Sequence, residues 1–91
     1  MDFVHYDLNQ LSGGEAVQVT LANAANVRLL DAFNFGIYRQ GGQYRHYGGY
    51  VTQSPYVVRV PAPGHWHLVI DLGGYAGQIR SSVRVLSPPG M

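Results

Sequence analysis

Cysteine is absent from the chain, so no disulfide framework and no thiolate chemistry is available. Lysine is absent too, and all six basic residues are arginine. Without lysine there is no Walker-type phosphate loop. Charge of either sign is scarce: six basic residues face five acidic ones, giving a net charge of +1. That balance argues against a strong non-specific nucleic-acid binder. Long hydrophobic runs are missing. The longest aliphatic run, Leu68-Val69-Ile70, falls far short of the ~20 residues that cross a membrane as a helix. The N-terminal Met1-Asp2-Phe3-Val4-His5-Tyr6 has neither a basic region nor an apolar core, so no secretory signal is expected. Together with the missing cysteines, this points to the cytoplasm.

What is present is apolar and turn-rich. Hydrophobic residues make up 46% of 91 residues and charged residues only 12%, a composition that folds and leaves a largely neutral surface. Such a surface implies self-association or a partner. The length suits one domain spanning residues 1–91, with 87–91 as a frayed tail.

The organising stretch is Gly64-His65-Trp66-His67-Leu68-Val69-Ile70-Asp71-Leu72-Gly73. Trp66, Leu68, Ile70 and Leu72 alternate and share one face of a strand; His65, His67, Val69 and Asp71 share the other. A strand with a wholly apolar face and an apolar interior belongs in the middle of a sheet. Further alternation predicts strands over 3–8, 15–21, 27–33, 56–60 and 78–86. No apolar period of 3.6 lasts eleven residues, and no helix of useful length is expected. Gly41-Gly42 reads as the turn of a hairpin joining 37–40 to 43–47, with Gly48-Gly49 breaking or bulging the return strand. Seven or eight short strands at roughly ten-residue spacing predict an all-β, two-sheet antiparallel sandwich with this hairpin projecting from one edge.

The stretches Phe3-Val4-His5-Tyr6-Asp7-Leu8, Ala25-Asn26-Val27-Arg28-Leu29-Leu30-Asp31, Asn34-Phe35, Tyr47-Gly48-Gly49 and Gly64-His65-Trp66-His67 stand in this order along nearly the whole chain. Together they resemble a small bacterial family known as a domain of unknown function, number eighteen eighty-three in that series. The resemblance implies an all-β sandwich of this size. In some members a similar domain looks to be attached to a TIR-like domain, which implies an accessory or sensing role. None of the 91 residues here reads as a TIR-like segment.

Two constellations could carry function. Tyr38, Arg39, Tyr44, Arg45, His46, Tyr47 and Tyr50 lie among glycines around the expected hairpin. Tyrosine gives large contact area at low entropic cost, and arginine adds forked donors, so this mix suits a surface for a protein or small ligand. The same residues could stack single-stranded bases, a weaker reading given the charge. Homo-oligomerisation through an edge strand fits the same composition. His65 and His67 form the second constellation. Residues i and i+2 on a strand point the same way, about 6.5–7 Å apart at Cα, and two imidazoles so placed can share a metal ion. A third ligand would come from a neighbouring strand: His5, His46, Asp7 or Asp31. The alternative is that both rings simply hydrogen-bond and pack.

Catalytic signatures are weak. Ser12, Ser54, Ser81, Ser82 and Ser87 lie outside any Gly-x-Ser-x-Gly elbow, and the carboxylates are scattered. Asp31 is expected at a strand end against the amides of 34–36, and Asp71 beside Arg80 or Arg84. No organic cofactor is implied, because the paired glycines do not form a dinucleotide fingerprint. The overall expectation is a non-enzymatic binding or interaction module, with metal binding as the alternative.

Overall fold

The alternating apolar residues pair into two antiparallel sheets. In a computed structural model, residues 2–87 are described, with seven strands and one helix among them. The first sheet orders β1 (Phe3–Leu11), β6 (Gly64–Asp71), β3 (Ala25–Asp31) and β4 (Tyr47–Val51). The second orders β5 (Tyr56–Arg59), β2 (Ala16–Leu21) and β7 (Ser81–Leu86). The expected sandwich is therefore the observed architecture, and the expected central strand, β6, lies between β1 and β3. Of the expected tail, residues 88–91 lie outside the described residues.

The inward faces follow from the two-residue period. Val17, Val19 and Leu21 of β2 meet Val27 and Leu29 of β3 and Trp66, Leu68 and Ile70 of β6 in one buried cluster. Trp66 is 4% exposed, and its indole Nε1–H donates to the Ala62 carbonyl at 3.0 Å, so its one polar atom is satisfied. Tyr6 ties the two sheets at a corner, its hydroxyl lying 2.7 Å from the Ser81 hydroxyl. Glu15 closes the β1–β2 turn by accepting from the backbone N–H groups of Ser12 and Gly13, both at 2.8 Å.

The projecting hairpin does not exist. Residues 32–39 form a helix, α1 (Ala32–Arg39), where strand and hairpin arm were expected. β3 therefore ends at Asp31, and Phe33 lies 77% exposed on the helix rather than on a strand face. Asp31 caps α1, accepting from the Asn34 backbone N–H at 2.8 Å, as a side chain at this position does for the unpaired amides of a first turn. Gly41 and Gly42 follow the helix end, with their N–H groups bonded to the carbonyls of Tyr38 and Ile37. Eight residues including Gly36 and two phenylalanines carry little intrinsic helix preference. The helix is held instead by tertiary packing: Phe35 and Tyr38, one turn apart, are buried with Leu30 and Val69 on the outer face of the first sheet. Each buried aromatic contributes about 1.5–3 kcal/mol.

α1 changes the status of β6. With the core on one side and the helix on the other, every residue from Trp66 to Asp71 is buried, whichever way it points. Gly48 and Gly49 do not interrupt a strand; they lie inside β4, opposite Arg28 and Val27. Gly48 has φ +112°, and a Cβ there would stand 2.4 Å from the Val27 carbonyl oxygen, so the two strands meet here only because the side chain is missing.

Candidate metal centre

The outer face of β6 carries two groupings, one at each end. At the C-terminal end Asp71 is fully buried and saturated. Its Oδ2 accepts from Arg28 Nε at 2.9 Å and from the Tyr38 hydroxyl at 2.7 Å. Its Oδ1 accepts from Asn26 at 2.9 Å, the Gly73 backbone N–H at 2.9 Å and Arg28 Nη2 at 3.3 Å. Arg80 and Arg84 are not its partners, because they leave from the β7 side of the sandwich while Asp71 faces the helix. Burial alone would raise the Asp71 pKa, but the five donors overcome it and hold the carboxyl at about 2. Burial, then the bond to Asp71, pushes the Tyr38 hydroxyl well above its usual value. This network is a structural lock: every acceptor position of the carboxylate is used by the protein itself.

The N-terminal end is different. His65 and His67 do point the same way, with rings stacked at 4.8 Å between centroids. The third group comes from β1. Asp7 is the cross-strand partner of His67, and the donor atoms of Asp7, His65 and His67 all lie within 4.8 Å of one another. Asp7 Oδ1 stands 2.6 Å from His65 Nε2. His5, two residues before Asp7 on the same face, places Nε2 2.8 Å from His67 Nδ1. Neither Asp31, which caps α1, nor His46, which sits beside Tyr44, joins this group.

A β-bulge aims Asp7. The β1–β6 register slips between Asp7 and Asn9, so that Leu8 has no direct partner and Asn9 faces Trp66. Asn9 has φ +63°, a left-handed conformation that asparagine tolerates, and its backbone N–H donates to Asp7 Oδ1 at 2.9 Å. The bulge also explains why β1 outlasts its simple alternation: Val4, Tyr6 and Leu8 pack against the core, and after the slip Leu11 does so again. Beside this bulge the Asp7 carboxylate meets His65, two residues before its ladder partner His67 in β6.

Helix α1 walls the site on one side. The Phe35 ring stacks on both His5 and His67, with centroids 4.3 Å away in each case, and the Arg39 guanidinium lies 5.6 Å from the Phe35 centroid. Burial lowers the pKa of His67 and of His5, the latter helped by Arg39, so both favour the neutral form. The backbone N–H of Asn9, then His65, holds the Asp7 carboxyl below its ordinary range. His67 thus favours the neutral imidazole and Asp7 the ionised carboxylate, the protonation states that ligate a divalent ion.

The tyrosine and arginine constellation is dispersed. Tyr38 is buried under α1, 5.1 Å from the half-buried Tyr44 ring. Tyr44 in turn lies 5.7 Å below the Arg28 guanidinium and 5.6 Å from His46. Arg39 covers Phe35 near the histidines, and Arg45 is exposed, its backbone N–H bonded to Asn34. Tyr47 pairs with Leu29 and meets Trp66 edge-on at 6.1 Å, whereas Tyr50 pairs with Asn26 and is 70% exposed. Leu29 faces the core and Asn26 the helix side, so Tyr47 and Tyr50 leave opposite faces of β4. The seven side chains do not make one surface.

With this geometry in place, comparison with known proteins gives one result. The domain of unknown function DUF1883 matches residues 1–89. The chain belongs to this family. No curated protein and no solved structure matches it. DUF1883 membership brings no activity with it. No helix of this DUF1883 chain, among the described residues, is long and apolar enough to cross a membrane. The sequence pointed to His65 and His67 and offered four candidates for a third ligand. Asp7 could be singled out only through the pairing of β1 with β6, which sets it opposite His67 and is not written in the local sequence.

Proposed function

We propose that this chain is a binding module for a divalent transition-metal ion, held by His65, His67 and Asp7. The observation that carries the reading is the convergence of two imidazoles and one carboxylate from paired strands, with donor atoms within 4.8 Å of one another. Donors around a tetrahedral ion sit about 2.0–2.2 Å from it, and so about 3.4 Å apart. Asp7 and His65 are roughly half-exposed, and small side-chain rotations would bring the three donors to that spacing. The close contact between His65 and Asp7 holds one proton, and an ion would take its place between them. Two imidazoles and a carboxylate suit zinc, cobalt, nickel or copper rather than magnesium or calcium, which prefer all-oxygen shells. Three ligands on an open sheet face leave positions for water or a ligand from outside.

Calorimetry on chelator-treated protein with Zn²⁺ and Ni²⁺ tests the reading. Wild-type protein is expected to bind one ion, and His67→Ala, Asp7→Asn and His65→Ala each to weaken it strongly. Absence of uptake by folded wild-type protein overturns the proposal. A thermal melt gives a second readout, because saturation at ~100 times the dissociation constant adds about 2.7 kcal/mol of stability.

A further inference from the structure

His5 lies beside the three-residue group but is not part of it. Of the three it hydrogen-bonds to His67: its Nε2 stands 2.8 Å from Nδ1 of His67. We infer that His5 is a positioning residue, whose Nε2 accepts a hydrogen bond from the Nδ1–H of His67 and so leaves the Nε2 lone pair of His67 for the ion. The inference rests on the metal-site reading above and adds which nitrogen of His67 ligates and what holds it there.

The argument is one of proton counting. A neutral imidazole has one N–H and one lone pair. Between His5 Nε2 and His67 Nδ1 one nitrogen must donate and the other accept. If His5 donates, His67 carries its own proton on Nε2 and offers an ion nothing. If His67 donates, its Nε2 lone pair is free, and the same ring both ligates and stays anchored. Binding an ion selects the second arrangement. Ligating histidines commonly give their other N–H to an acceptor, which fixes the tautomer and raises ligand basicity. Here the acceptor is an imidazole.

The anchor is itself held. Phe35 stacks on His5 at 4.3 Å with an interplanar angle of 21°, and on His67 at 4.3 Å and 15°, so both rings are kept nearly parallel to one surface. On the backbone side, His5 pairs with Val69, two ladder positions from the pair of Asp7 and His67. The pairing of β1 with β6 thus delivers anchor and ligand together, and α1 sets their tilt. This gives the helix a role at the site although it supplies no ligand.

The test uses the full chain and two variants. His5→Leu removes the acceptor, and His5→Gln keeps one, because its side-chain carbonyl reaches roughly where Nε2 stood. Zn²⁺ affinity is expected to fall about 10–100-fold in His5→Leu and to recover in His5→Gln. Electron paramagnetic resonance of the Cu²⁺-loaded protein is expected to show two ligating imidazole nitrogens in wild type and in both variants. Nitrogen-15 spectra of Zn²⁺-loaded wild-type protein, which need no variant to fold, are expected to show His67 with zinc on Nε2 and a proton on Nδ1. Unchanged affinity in His5→Leu overturns the inference while leaving the metal site standing. A drop from three copper-bound nitrogens to two in His5→Leu overturns it by making His5 a ligand, and zinc on Nδ1 of His67 overturns it outright. If wild-type protein takes up no ion, the parent reading falls and this one with it.

Discussion

Arg28 and Asp71 form a bidentate pair across β3 and β6, with Nε 2.9 Å from Oδ2 and Nη2 3.3 Å from Oδ1. The carboxylate is fully buried, and the guanidinium side chain is 16% exposed. Replacing Arg28 by Met would leave the buried charge with neutral donors only, from Tyr38, Asn26 and Gly73. Removing one partner of such a pair costs ~3–5 kcal/mol. Urea unfolding of Arg28→Met should show a loss of that order. A loss below ~1 kcal/mol would show that the neutral donors suffice.

The same carboxyl sets an acid limit. Its folded pKa, about 2, lies below its ordinary 3.8. A depressed folded pKa means that the unfolded chain takes up the proton first. The contribution to stability is therefore complete above 3.8 and disappears as pH falls toward about 2. It amounts to ~2 kcal/mol. Denaturation at a series of acidic pH values should show this slope in wild-type protein and a flatter one in Asp71→Asn, which lacks the titrating group.

Two glycine substitutions should act in opposite directions. Gly36 is in α1, and a Cβ there meets nothing within 4 Å. Gly36→Ala should stabilise by about 0.5–1 kcal/mol through helix propensity. Gly48→Ala would meet the Val27 carbonyl at 2.4 Å in a left-handed conformation. The dihedral alone costs ~1–3 kcal/mol, and the clash with backbone adds to it. Melting temperatures of the two variants check both signs, and a destabilising Gly36→Ala would mean that α1 is not helical.

Metal affinity should depend on pH through the imidazoles. An ion competes with protons for each ligand. The His67 pKa is lowered below 6.5, so its ring is neutral around pH 7, and competition begins only on acidification below that value. Zn²⁺ calorimetry should give nearly constant affinity from pH 8 to about 7 and a steep loss toward about pH 5. A loss already complete at pH 7 would show that His67 is not a ligand.

Much of this was readable in the sequence. The period-two pattern of Trp66, Leu68 and Ile70, and of Val17, Val19 and Leu21, assigns strands and their inward faces, because a pleated backbone leaves those side chains no other way to reach the core together. Turn glycines and prolines set the spacing. His65-x-His67 declares two parallel imidazoles from the same geometry. Asp31 was expected at a strand end against the amides of 34–36, and it does accept from the Asn34 N–H, but that amide opens a helix rather than a turn.

The remainder depended on contacts between residues distant in the chain. Residues 32–39 are helical because Phe35 and Tyr38 find Leu30 and Val69 beneath them, a gain that no local propensity records. That helix buries Tyr38 and breaks up the tyrosine and arginine surface that the sequence suggested. Asp71 takes Arg28 rather than Arg80 or Arg84 because strand order, not chain order, chooses a buried charge's partner. Asp7 and His5 reach the histidines through pairing across some sixty residues, with the 62-residue span from His5 to His67 closed by one ladder and aimed by one bulge. A chain's local pattern states which faces must be buried. Which face meets which is a long-range choice, made when loop closure is repaid by the whole packed sheet at once.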